Sequence, residues 1–494
     1  MATKLVSMNT ENTKNEVILP QITVQHDITT VMNDVRDGVV ADGWEDAWIS
    51  CYFEGKPSVH GKLRITRISG GLSYEARDGV GWHGTSSADF RVSCASLKIE
   101  PTLIRLPKHV YIVAETQRIT AFDISPDGTT FATGYGDGSI IVTPVSTTGD
   151  TASRRVAKAH LSTVLSLRFF PSSVVLLSSS SDLSLAIHDA KLSPLSATSL
   201  PSSLATVRSL KAHSAGVTRC DIIDRGRNVL SFSRDASVRL WNVGDGKEIV
   251  GRRWRAPKGS PVLCGCVGEV LKGNENIPSE FTPEPLSGGP SVSLLEGEVG
   301  TKGKMIYVGL QDGSVRGYDL STGTSIFFST GGQSTSTTVR PSPVDSICYS
   351  ADKSILAAGS RDGTVRVWDL EALNQRTSVD EVHNQTTFEN ESDIPPTWCI
   401  RRNTGGIEGL FVPSSISQPA EATEVPPPDL RMLLIASADG MLFKAGFLEG
   451  IEPMLLEEFI GVESGDGIRG VKAITTDGIT SIWSASDDGL VRKY

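Results

Sequence analysis

Runs of about four to seven residues in which apolar side chains alternate with polar ones recur through most of the chain, bounded by Gly, Asp, Asn or Ser. That period of two, closed off by turn formers, predicts short half-buried strands rather than helices. The stretch from His213 to Val243 shows it most plainly: VTRCDII, NVLSFSR and SVRLWNV are three such strands joined by two polar turns. Four residues of this block share one expected task. At the spacing of His213, Ser231, Asp235 and Trp241, the indole N–H donates to the serine, the serine to the imidazole, and the imidazole to the aspartate of the tight turn. Each link contributes about 1 kcal/mol net, and linked polar groups polarise one another. His213 is therefore read as scaffold, not as a catalytic base.

The aspartate of that turn recurs at Asp137, Asp182, Asp235, Asp312, Asp362, Asp439 and Asp488, at intervals of 45, 53, 77, 50, 77 and 49 residues. Propeller blades of the WD type repeat at about 40–45 residues, and loop insertions account for the excess. The expected fold is therefore all-β: a seven-bladed WD-repeat β-propeller over residues 109–494, preceded by a small, mainly β N-terminal domain at 17–108 and a polar, disordered N-terminus at 1–16. The other tetrad positions decay away from the third repeat. The second keeps His160, Ser178 and Asp182 with His188 in the tryptophan slot. The fifth keeps Asp362 and Trp368 but has Ala358 and Arg340, and the seventh keeps Ser484 and Asp488 with Tyr494. Beyond the turn aspartate, the first retains Thr133 and the fourth Tyr318. The last blade lacks a fourth strand of its own, and HVYIVAE, before the first blade, is expected to supply it and close the ring.

Pro-, Ser- and Glu-rich insertions at 271–302 and 414–429 fall between first and second strands, and those at 191–205 and 371–397 between third and fourth. All four positions emerge on one face of a propeller, the bottom, so the top is expected to stay clear for a partner. In the N-terminal region, Trp44 and Trp48 of WEDAWISCYF are read as core.

Composition narrows the function. A net charge of −10 argues against a nucleic-acid binder with an overall basic field and favours a basic partner. The seven cysteines are scattered through apolar strand patterns, and Cys264 and Cys266 alternate along one strand instead of forming a metal knuckle. Buried free thiols in a reducing compartment are expected. Residues 1–16 carry no apolar run of the kind a secretion leader needs, and no stretch of about 20 apolar residues suggests a membrane span. No GxxxxGK[ST], GxSxG or HExxH pattern occurs, and the eight histidines stand at no metal spacing. Neither a catalytic residue, a metal nor a cofactor is assigned.

Three stretches carry a resemblance: DGWEDAWISCYFEGKPSVHGKL at 42–63, IIDRGRNVLSFSRDASVRLWNVG at 222–244, and SASDDGLVRKY at 484–494. Together they resemble the proteasomal ATPase-associated factor family, WD-repeat assembly chaperones of the proteasome regulatory particle. The resemblance implies a non-enzymatic protein of the cytoplasm and nucleus, monomeric before binding. Its partner would be the C-terminal domain of a regulatory-particle ATPase subunit. No binding motif is carried by these stretches. The face is therefore nominated by tracing strands, which places Glu115, Asp345, Asp466 and Asp487 in or beside top-face loops, with Arg234 and Arg361 on the same rim. The carboxylates are expected to steer a basic partner. Two other readings compete. A ubiquitin-ligase substrate receptor would carry Arg two residues after the WD aspartate, where WDLE has Glu371. An enzyme would place its site over the channel.

Overall fold

The computed structural model describes residues 16–84, 89–113, 117–145, 154–192, 202–269, 295–330, 341–373, 393–413, 427, 429–463 and 465–494. The stretch expected to be disordered, residue 16 apart, lies outside them, as do most of the insertions, Arg340 and Glu115. Among the described residues, seven antiparallel sheets follow one another along the chain. Their first strands are Ile119–Ile124, Val164–Phe169, Val217–Ile223, Val262–Glu269, Val344–Ser350, Ile407–Phe411 and Ile468–Thr476. Each first strand lies beside the next, and Ile119–Ile124 also touches Ile468–Thr476, so the inner strands form a closed ring. The arrangement is a β-propeller.

The alternation seen in the sequence has a direct packing consequence. Each sheet buries one face against its predecessor and the other against its successor, so the core is divided among the gaps between sheets. Leu230, Phe232 and Leu240 of the third sheet, for example, pack on Val262, Ile306 and Val308 of the fourth. Polar staples align the inner strands. The Asp123 carboxylate accepts the Phe169 N–H at 2.7 Å and Asp221 accepts that of Val267 at 2.9 Å, each reaching the neighbouring sheet. The seventh sheet is completed as expected: His109–Ile112 pairs antiparallel with Leu490–Lys493, Lys493 opposite His109.

The N-terminal region is knitted to the propeller. A four-stranded sheet, Gln21–Val24, Trp44–Tyr52, Val59–Ile68 and Gly71–Arg77, carries a helix, Ile28–Asp37, on one face. Ile28, Val31, Met32 and Val35 of the helix, at the one-face spacing of three and four, cover Ala47, Ile49, Leu63 and Ile65. The helix stops at Gly38, whose φ of 77° favours a residue without a Cβ. Four further strands of this region join propeller sheets by their backbones. Val17–Ile18 adds in parallel to Ile400–Arg401 of the fifth sheet. Ile99–Arg105 adds in parallel to the outer strand of the sixth, Leu103 opposite Glu457, and brings Asp89–Cys94 and Gly81–His83 with it. Residue 108 thus divides the chain in sequence but not in space.

One expectation needs correction. Trp44 and Trp48 are not core: they are 38% and 53% exposed. Along Trp44–Tyr52 they share the face opposite Ala47, Ile49 and Cys51, and the helix covers only the latter. Their rings are capped instead by Arg64 at 3.7 Å and Lys62 at 4.5 Å from the centroids. The end of the 271–302 insertion is bonded to the third sheet. Buried Glu298 accepts bonds from Arg252 at 3.0 Å and Thr301 at 2.6 Å, and the Asn228 side chain bonds Gly297 O and Val299 N.

Candidate functional site

The tetrad forms as its spacing implied. Trp241 Nε1 donates to Ser231 Oγ at 2.8 Å, Ser231 lies 2.6 Å from His213 Nε2, and His213 Nδ1 lies 2.8 Å from Asp235 Oδ2. Asp235 also accepts the Ser237 N–H at 3.0 Å and the Ser214 N–H at 3.1 Å. Burial opposes its charge, but the bonds from His213 and Ser237 prevail and hold the carboxyl well below its usual range. In the second sheet His188 takes the tryptophan's place. Ser178 Oγ stands 2.7 Å from His160 Nε2 and 2.8 Å from His188 Nε2, while His188 Nδ1 meets Thr206 Oγ1 at 3.1 Å. One serine proton serves both contacts only if His188 Nε2 donates, as the indole does elsewhere. Elsewhere other donors step in. In the sixth sheet Asn403 Nδ2 bonds Asp439, and in the seventh Arg492 bonds Ser486 and Asp488. Trp368 turns to the Ile394 carbonyl at 3.2 Å.

The second tetrad predicts a pH response. Burial, reinforced by the nearby His160, pushes the His188 imidazole down to about 3. Unfolded histidine binds its proton near 6.5, so between those values the unfolded chain holds a proton that the folded chain lacks. Stability is therefore full above about pH 6.5 and falls as pH drops, by about 2 kcal/mol from His188 at pH 5. Urea unfolding at pH 7 and pH 5 checks this: His188→Gln should lose about 2 kcal/mol less over that interval than the unaltered protein.

The tetrads hold the sheets; a different set of polar side chains gathers at the axis. On the top face, formed by the second-to-third turns and fourth-to-first connections, a cavity of about 490 Å³ opens where the inner strands begin. Four nominated residues line it: Arg234, Asp345, Arg361 and Asp487. Asp466 does not. It sits beside Asp488, Glu463 and Asp487, and burial together with those like charges raises its carboxyl.

The carboxylates at this mouth are already matched. Arg361 clasps Asp345 with two bonds of 2.9 Å. Arg469 clasps Asp487 at 2.8 and 2.7 Å and reaches Glu408 at 3.0 Å. These pairings revise the expectation of an acidic steering surface, which tracing strands could place but not pair. The sequence reading missed Arg118, Arg219 and Arg469, although the last two follow the opening residue of their inner strands by one or two positions and so point at the axis.

Below the mouth a second cavity of about 270 Å³ continues along the axis, sharing Arg219, Glu408 and Arg469 with the first. Arg168 lies 3.8 Å from both Asp123 and Asp221, and Lys472 lies 3.1 Å from Asp123. Cys264, Cys266 and Cys348 also line it; burial pushes the thiols of Cys264 and Cys348 up to about 12 and that of Cys266 well above its usual value. These thiols are protonated at neutral pH and poor nucleophiles. Along the axis, then, the carboxylates all lie beside basic groups, from the Arg361 and Arg469 pairs at the mouth to Arg168 and Lys472 below.

A family model described as WD domain, G-beta repeat, matches residues 105–142, 204–242 and 332–369. Proteasomal ATPase-associated factor 1 of Bos taurus is 30% identical over 128 residues, 26% of this chain and 32% of that protein. The WD repeat-containing protein 91 homolog of Dictyostelium discoideum is 25% identical over 182 residues, 33% of this chain and 22% of that protein. The chain thus spans a third or less of the length of these curated relatives. Propeller sheets, a complete tetrad and three matched repeats make this chain a WD-repeat protein.

Proposed function

We propose that this chain is a seven-bladed WD-repeat propeller, clasped by its N-terminal region at 17–108, that acts without catalysis as an assembly factor for a proteasomal regulatory-particle ATPase. The observation that carries this reading is the top-face mouth, where charged side chains from several sheets converge on one open cavity. The partial similarity to Proteasomal ATPase-associated factor 1 supports the choice of partner, and the C-terminal domain of one ATPase subunit is its proposed contact. A reducing compartment, cytoplasm or nucleus, suits a chain whose seven cysteines all carry free thiols.

Affinity capture of the full chain from native lysate, followed by protein identification, tests the partner. Regulatory-particle ATPases without core-particle subunits are expected. Cullin adaptors in their place would overturn the assembly reading in favour of a ligase receptor.

A further inference from the structure

We propose that the mouth of the axial channel is a receptor for an acidic peptide segment, whose carboxylates seat on Arg118, Arg219 and Arg234. This goes beyond the assembly reading, which names a partner but not the chemistry that meets this cavity. Among the described residues five guanidinium groups line the mouth, those of Arg118, Arg219, Arg234, Arg361 and Arg469, against three carboxylates, Asp345, Glu408 and Asp487. The chain as a whole carries −10, so the mouth is a positive island in an acidic molecule.

The pairing sharpens the contrast. Each lining carboxylate is already held by Arg361 or Arg469. A cationic visitor would have to break two-pronged pairs to gain new ones. An anionic visitor meets groups that are ready. Among the described residues the guanidiniums of Arg118 and Arg234 make no hydrogen bond or salt bridge and are exposed, Arg118 only sensing the charge of Asp466, and the Arg219 guanidinium has a single bond, of 3.3 Å, to the Leu165 carbonyl. The hydroxyls of Thr120, Thr163 and Thr218 already donate to backbone carbonyls, which leaves recognition to the guanidiniums. Guanidinium forks match carboxylates in a bidentate way.

The layout favours a peptide over a compact anion. Arg118 precedes the inner strand of the first sheet, whereas Arg219 and Arg234 belong to the third, so the second sheet lies between them along the ring. Charges spread round a rim suit several carboxylates on an extended segment better than one phosphate. A volume of about 490 Å³ falls within the roughly 300–1,000 Å³ of ligand-binding clefts. The floor below is neutralised by the Arg168, Lys472, Asp123 and Asp221 network, so the excess positive charge sits at the entrance.

Fluorescence anisotropy with the full chain tests this, using labelled oligoglutamate, labelled oligolysine and unlabelled tripolyphosphate as competitor. Oligoglutamate should bind in a salt-sensitive way, and the double variant Arg118→Ala/Arg234→Ala should weaken it at least about tenfold. Both side chains are exposed and unbonded, so the variant's thermal midpoint should match that of the unaltered chain. Oligolysine binding as tightly, equal oligoglutamate binding by the variant, or displacement by tripolyphosphate without any oligoglutamate affinity would each overturn the proposal. None of these outcomes alters which proteins a lysate yields, so the partner assignment stands or falls separately.

Discussion

Trp241→Ala is expected to lower folding stability by about 3–5 kcal/mol, the cost of emptying a buried aromatic site. Trp241 is 2% exposed and packs among Phe170, Leu177, Leu185 and Val229, so its loss opens a gap between the second and third sheets. It also removes the donor to Ser231. Trp241→Phe separates the two effects: it retains most of the volume, leaves the serine oxygen without its donor, and should cost about 1–3 kcal/mol. Urea denaturation of both variants provides the measurement. A stability unchanged in Trp241→Ala, with partner capture abolished, would show that the indole is a contact and not a strut.

Arg402→Ala is expected to be as severe for a different reason. Glu458 is 2% exposed, Arg402 is 7% exposed, and the two are joined by paired hydrogen bonds, that from Nη1 to Oε2 measuring 3.1 Å. Glu458 also accepts the Ile22 N–H at 3.0 Å, so one carboxylate ties the N-terminal sheet to the sixth sheet and to the loop that follows the fifth. Burial already raises this carboxyl above its usual range. Deleting the guanidinium leaves a buried charge uncompensated, at about 3–5 kcal/mol. The carboxyl of the variant, raised further, binds a proton when folded that the unfolded chain releases. Its stability is therefore greatest below the unfolded value near 4.3 and is lost as pH rises through the folded value. Arg402→Ala should thus fall furthest behind the unaltered protein at pH 8 and least at pH 5. Arg402→Met combined with Glu458→Leu should recover part of the deficit, since a matched apolar pair replaces a buried ion pair at little cost but leaves the Ile22 N–H without its acceptor.

The two sites differ in how far the sequence disclosed them. The tetrad was legible because four residue types at fixed separations answer one geometric demand within a single sheet. Its substitutes in other sheets were half legible. His188 stood in the right slot, but Asn403 and Arg492 reach their aspartates through side chains that no template of residue types anticipates. The ring-closing strand could be inferred from a missing edge. The parallel additions of Val17–Ile18 and Leu103–Arg105 could not, because their partners lie more than three hundred residues away and short parallel pairs leave no alternation of their own. The helix Ile28–Asp37 carried its spacing openly in ITTVMNDVRDG but was submerged in a region read for strands. At the mouth, position along a strand identified Asp345, Arg361 and Asp487 correctly as rim residues. Whether a rim carboxylate is free or clasped depends on a guanidinium from another stretch of chain, and that is a property of three dimensions alone.

The strand His109–Ile112 finds its partner only at Leu490–Lys493. On a ribosome adding about 5–20 residues each second, that interval lasts roughly 20–80 s. Val17–Ile18 and Ile99–Arg105 likewise wait for Ile400 and Glu457. Every early strand that docks on the propeller is thus made long before its seat exists, and its unpaired backbone stands open to other nascent chains meanwhile. The molecule proposed here to shelter an unassembled subunit is itself, throughout its synthesis, a client in need of shelter.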